Sequence, residues 1–191
     1  MKGLLLAAPA VLALAACTTT PPPSEGAASA PGSTPPAVST ARSATVNLAS
    51  ASASLVSGRL TAVPMGNGVH FTGEVGGLTP GSTHAIHVHE RGDCSAADAS
   101  SAGGHFNPTG APHGKVDAGA HHAGDMNNIV ANAQGVAQVS AHAEGVTLGG
   151  GAANDVAGRA VIVHAKADDY RSQPSGEAGA RVACGLINAQ R

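Results

Sequence analysis

Short β-leaning runs, each cut off by a turn signal, set the pattern of this chain from Thr45 onward. They occupy residues 45–48, 59–63, 69–75, 84–89, 129–131, 136–141, 159–164 and 182–187. Pro64 with Gly66-Asn67-Gly68 ends the second run, and Gly76-Gly77 with Pro80-Gly81 ends the third. No segment keeps a helical period over 12 residues. Short runs spaced this way predict an all-β fold, an antiparallel sandwich or barrel. The 26 Gly and 12 Pro agree with many turns and argue against long helices. Aromatic residues are 2 % of the chain and Trp is absent, so the core must be built from Val, Leu, Ile and Ala. Two irregular stretches, 90–128 and 165–180, are long for so small a domain. Loops of that length are usually functional.

Residues 1–16 read as an export signal. Lys2 supplies a positive start, and Gly3 to Ala16 is uncharged and mostly apolar. That stretch is too short for a spanning helix, which needs roughly 20 residues. Leu14-Ala15-Ala16-Cys17 resembles the end of a bacterial lipoprotein signal, which implies lipid attachment at Cys17 and so a membrane anchor. The other reading is an ordinary signal cut after Ala13-Leu14-Ala15. Thr18 rather than Asp follows Cys17, which by the same resemblance favours an outer-membrane anchor in the periplasm. Residues 17–43 hold half of the 12 prolines, with only Glu25 and Arg42 charged, and predict an extended tether. The folded domain is expected over 44–191. If Cys17 carries lipid, Cys94 and Cys184 remain, and an exported protein is expected to oxidise them. The bridge would close a loop of about 90 residues, worth roughly 4 kcal/mol in the chain-entropy model. The alternative is two buried free thiols.

Ten histidines equal the ten Lys plus Arg, and His is the commonest metal ligand. Charged residues reach 12 % against a typical ~25 %. The net charge of -2 gives no basic footprint, so nucleic acid is not an expected partner. His87 and His89 stand at i and i+2, on one face of a strand. His84 faces the other side and suits a core histidine that donates a hydrogen bond. His105, His113, His122 and Asp125 fall within 21 residues of loop. Three nitrogens and a carboxylate oxygen suit a structural Zn²⁺. His164 ends a buried strand. His70 and His142 are expected on the surface, and His121 stands next to His122.

Together, His87-Val88-His89, Gly104-His105-Phe106-Asn107-Pro108, His113-Gly114, His122-Ala123-Gly124-Asp125, Val163-His164-Ala165-Lys166-Ala167-Asp168-Asp169 and Arg181-Val182-Ala183-Cys184-Gly185 resemble the copper/zinc superoxide dismutase family. The resemblance spans about Thr45 to Ile187 and implies an eight-stranded antiparallel Greek-key β-barrel, immunoglobulin-like, with two long functional loops. It implies one copper and one zinc per chain. His87, His89, His105 and His164 match the copper ligands; His105, His113, His122 and Asp125 match the zinc ligands. His105 would bridge the two ions. Asp168 matches the carboxylate that links ligands of both sites, and His84 lies with it behind the ligands. Arg181 matches the arginine beside the copper, acting with His105 in catalysis, and Cys94 and Cys184 match the family disulfide. The implied activity is dismutation of superoxide to hydrogen peroxide and dioxygen; the alternative is a periplasmic copper/zinc-binding protein without turnover. The oligomeric state stays open, a homodimer included. Ala85-Ile86 stands where many members of the family have a Gly-Phe pair. Residues 165–180 carry fewer charges than many animal members.

Overall fold

A computed structural model describes residues 37–190. The export signal, Cys17 and most of the expected tether lie outside the described residues. The strands are β1 (Ser43–Ser50), β2 (Ser57–Met65), β3 (Gly68–Gly76), β4 (Thr83–His84), β5 (Ile86–His89), β6 (Ile129–Val130), β7 (Ala137–Glu144), β8 (Ala160–His164) and β9 (Arg181–Gln190). Seven of them form a sheet in the order β5-β8-β9-β1-β2-β3-β7, and β4 pairs with β6. All the ladders are antiparallel. A bridge between Ala131 and Ala137 links β6 to β7. Because β4 runs on into β5, the order returns to its start, and eight strands make a nearly closed Greek-key barrel.

The expected run 84–89 is thus one strand broken at Ala85. Ala85 N–H donates to the Lys166 carbonyl at 2.8 Å, and its carbonyl accepts from His164 N–H at 2.9 Å. This diversion ties the strand to the end of β8 and the loop that follows. The two irregular stretches of the sequence emerge as the β5–β6 and β8–β9 connections. The first contains a single 3₁₀ turn, Ser100–Ala102.

Period-two alternation explains the inward faces. Ala44, Val46 and Leu48 of β1, and Ala137, Val139, Ala141 and Ala143 of β7, point into the barrel and are buried. Phe71 fills its middle with no exposed surface. β5 and β8 differ, being buried on both faces. Ile86, Val88, Val161 and Val163 belong to the barrel core. His87 and His89 alternate with Ile86 and Val88, so they leave the barrel outward, where the loops cover them. On the same outer side Ile162, Ala160 and Cys184 form a second small core with Ala51, Ala99 and Ala102. Cys94 packs on it and is bonded to Cys184, with Cα atoms 5.8 Å apart.

The domain also takes hold of the chain before residue 44. Leu148 N–H donates to Ser39 Oγ at 2.9 Å, Ala41 N–H donates to the Leu148 carbonyl at 3.0 Å, and Ala41 is buried. Small, uncharged residues give no sign of this, because backbone hydrogen bonds hold the segment.

Candidate metal centre

Three segments meet on the outer face of β5. Phe106 N–H donates to the Val88 carbonyl, Val88 N–H to the Gly124 carbonyl and Gly124 N–H to the Phe106 carbonyl, each at 2.8 Å. A Cβ on Gly124 would lie 2.2 Å from the Val88 oxygen, so only glycine permits this approach. The contact brings His105, His122 and Asp125 alongside His87 and His89. From the other side β8 brings His164 to the same outer face, where a register shift between Val163 and His164 sets it opposite Arg181.

Two donor clusters result, both buried. His87, His89, His105 and His164 form one; His105, His113, His122 and Asp125 form the other. Within each set the donor atoms lie within 4.8 Å of one another. His105 belongs to both. Its Nδ1 lies 2.8 Å from Asp125 Oδ1 and 3.4 Å from His122 Nδ1. Its Nε2 is buried without a hydrogen-bond partner.

Outer partners fix which nitrogen of each ring faces the cluster. His89 Nδ1 donates to the Gly103 carbonyl at 2.9 Å, and His164 Nδ1 donates to the Gly179 carbonyl at 3.4 Å. Their Nε2 atoms therefore carry lone pairs, yet they face each other at 3.4 Å. Two lone pairs at that distance repel, and a cation between them relieves it. His87 Nε2 is tied to Asp168 Oδ2 at 2.8 Å, which leaves its buried Nδ1 unpaired. Imidazole nitrogens with these free lone pairs fit copper in the first cluster and, with the carboxylate, zinc in the second.

Asp168 joins the two sites from behind. Its other oxygen meets His113 Nε2 at 2.9 Å. A Cβ on Gly176 would come within 1.9 Å of that oxygen and 2.7 Å of His113 Nε2. His84 Nδ1 donates to the His164 carbonyl at 2.8 Å, so it steadies a ligand's backbone and ligates nothing itself.

The electrostatics follow from this crowding. Burial, aided by His87 and His113 and opposed by Asp125, pushes His105 down to about 4. His89 and His164 are also held low, first by burial and then by neighbouring rings. These imidazoles stay neutral and open to a metal at neutral pH. His113 goes the other way: burial opposes it, but Asp125 and Asp168 raise it to about 9. Asp125 is held far below the carboxylate range; burial alone would raise it, but His105, His113 and His122 outweigh that.

A cavity of about 380 Å³ opens over the first cluster, lined by His89, His105, His164, Pro174, Ser175 and Arg181 among others. Arg181 donates from Nη1 to the Ala99 carbonyl at 2.7 Å and from Nη2 to the Gly103 carbonyl at 2.6 Å. The Gly103 oxygen therefore serves both Arg181 and His89.

Three histidines stand apart. His121 Nδ1 donates to the His122 carbonyl at 2.7 Å, while its Nε2 turns toward Glu144. His70 and His142, expected on the surface, lie on the outward faces of β3 and β7, half-buried against each other with ring centres 5.8 Å apart. Sequence reasoning missed Asn128, Gln173, Gly124 and Gly176. The paired amide side chains carry no periodic signal, and only a built backbone shows where a Cβ would collide.

Fold and site together define a β-barrel metalloprotein with a four-histidine site sharing one ring with a closed His₃Asp site. Residues 56–187 match the family model described as copper/zinc superoxide dismutase. The chain is 40 % identical over 135 residues to copper–zinc superoxide dismutase 2 of Aquifex aeolicus, covering 69 % of this chain and 79 % of the relative. It is 42 % identical over 135 residues to the copper–zinc superoxide dismutase of Caulobacter vibrioides, covering 68 % and 77 %. The crystal structure of a SOD-like protein from Bacillus subtilis superposes with a TM-score of 0.68 at 34 % identity, covering 75 % of this chain and 97 % of that one. The chain belongs to the copper/zinc superoxide dismutase family. It is an oxidoreductase with a histidine copper site and a His/Asp zinc site bridged by His105.

Proposed function

We propose that this superoxide dismutase works outside the cytoplasm, lipid-anchored through Cys17, with the residues between Cys17 and Ser39 as the tether. The signal pattern ending in Cys17 supports this reading, and so does the Cys94–Cys184 bond, which persists in oxidising compartments. The test is incorporation of labelled fatty acid by cells expressing the whole chain. Label on the chain, lost in Cys17→Ser together with membrane attachment, is the expected result. A wild-type protein that stays unlabelled and soluble contradicts the anchor.

At the site, two superoxide anions and two protons become dioxygen and hydrogen peroxide. Copper, when bound, supplies one-electron reduction and oxidation, and zinc supplies fixed positive charge without redox chemistry. Arg181 carries the permanent charge on the cavity wall, so it attracts and orients the anion there. Both its hydrogen bonds go to backbone carbonyls, which leaves its charge without a carboxylate partner at bonding distance. His105 Nε2 is the atom that takes up a proton and returns it as peroxide forms. His105 Nδ1 lies among the donors of the second cluster, against Asp125, where zinc would hold the ring in place. Buried walls around His87 and His113 exclude bulk water from the shared ring's inner side.

The observation that carries this role is His105 itself, shared by both donor clusters, with Nδ1 against Asp125 and Nε2 buried and unpaired. Superoxide consumption by copper-loaded protein, absent from the copper-free form, is expected. Fully loaded protein without turnover would favour metal storage instead.

A further inference from the structure

Asp168 and His113 sit on different loops, and two side-chain amides lock those loops together. Asn128, just before β6, grips Asp168: its Oδ1 accepts from Asp168 N–H and its Nδ2 donates to the Asp168 carbonyl, both at 2.9 Å. Gln173 does the same in the reverse direction. Its Oε1 accepts from His113 N–H at 2.8 Å, and its Nε2 donates to the His113 carbonyl at 2.9 Å. Each amide thus replaces a strand neighbour for one residue of the opposite loop. Gln173 Nε2 also reaches the Arg171 carbonyl at 3.1 Å, which orients the amide before it meets His113.

We infer that Gln173 is a positioning residue for the zinc site: it holds the backbone of His113 so that this ring stays between zinc and Asp168. A histidine side chain swings from its own backbone, and loop backbone has no ladder to hold it. Among the described residues, His113 N–H and carbonyl have this one shared partner, so releasing the amide frees the ligand's base. The next residues, Pro174 and Ser175, line the cavity over the copper cluster. The same clamp therefore fixes one wall of the substrate channel relative to the zinc loop. The inference rests on the assignment of the second cluster to zinc.

Gln173→Met keeps the side chain's length and removes both hydrogen bonds to His113. Zinc release from copper/zinc-loaded protein into a chelator should quicken about 10–100-fold, the loss typical of an outer partner of a ligand. The visible absorption of Co²⁺ placed in the zinc site should change shape. Ser172→Ala, one residue earlier, removes a bond internal to the loop, Ser172 Oγ to Asp169 Oδ2 at 2.5 Å, and should leave both readouts near wild type. Equal acceleration in both variants, or unchanged release in Gln173→Met, would overturn the clamp. Should Gln173→Met not fold, amide exchange in wild-type protein with zinc and reduced copper decides. Strong protection of His113 N–H is expected, and exchange as fast as in an unstructured peptide would overturn the proposal. A wild-type chain that binds no zinc at all would instead remove the zinc assignment itself.

Discussion

At the scale of single residues, the site is a set of rings whose outer nitrogens are already spoken for. His164 shows this clearly: its Nδ1 faces the Gly179 carbonyl and its Nε2 faces the first cluster. His164→Ala should lower dismutation by more than about 100-fold, beyond the usual loss from an outer partner, while zinc content and the folded barrel persist. Activity, metal analysis and circular dichroism on one preparation check this, and near-normal turnover would remove His164 from the copper site. Gly176→Ala is a harsher test of Asp168 than its size implies. Its Cβ would meet the carboxylate at 1.9 Å with a backbone φ of +66°, so Asp168 must move off His113. Metal affinity should fall about 10–100-fold. Of these residues, His87 and His89 were legible from strand alternation, and His105, His113, His122 and Asp125 from their density in one loop. Gly176 was not, because its role depends on a neighbour eight positions away that only the loop's path brings close. Gln173 was hidden for the same reason, since its partner lies 60 residues upstream.

At the scale of elements, β5 and β8 make the site possible by being buried twice. One face completes the barrel; the other becomes the floor under two loops. The strand runs were legible because alternation and turn residues mark them. The break at Ala85 and the register shift at His164 were not, because both arise where the β8–β9 loop pairs back onto the strand. The disulfide belongs to this level. It anchors the first loop, near Cys94, to β9 three residues after Arg181, the residue whose carbonyl partners Ala99 and Gly103 lie in that same loop. Closing a loop of 90 residues contributes roughly 4 kcal/mol in the chain-entropy model. Cys94→Ser with Cys184→Ser should lower unfolding free energy by about that much in denaturant titration. It should also cut turnover, as Arg181 loses its fixed base. Unchanged turnover would show that the arginine is held by its carbonyls alone.

At the scale of the whole molecule, protons and charge govern behaviour. The metal-free domain carries neutral His89, His105 and His164, whose pKa values lie below the ordinary 6.5. The unfolded chain binds protons there first, so stability falls as pH drops from about 6.5 toward 4. His113 has the opposite sign: raised to about 9, it contributes fully below 6.5, and that contribution fades as pH rises toward 9. The Tm of metal-free protein should therefore peak near neutrality, and a steady rise from pH 6 to 9 would contradict the His113 environment. Net charge is -2, so the molecule as a whole does not draw anions in. Among the described residues, Arg181 is the sole Lys, Arg, Asp or Glu lining the cavity. Arg181→Ala should slow turnover more at low salt than near 0.1 M, where the screening length is about 10 Å. An equal loss at all ionic strengths would leave the arginine no role in attraction.

His105, shared by both donor clusters, is expected to be held by two ions at once. A crystal structure of the oxidised, fully loaded protein, with anomalous data at the copper and zinc edges, tests it directly. The expected result is copper at Nε2 and zinc at Nδ1 of the same ring, the zinc about 2.0–2.1 Å away. A ring bound to one ion alone, with the other nitrogen turned to protein or solvent, would contradict it.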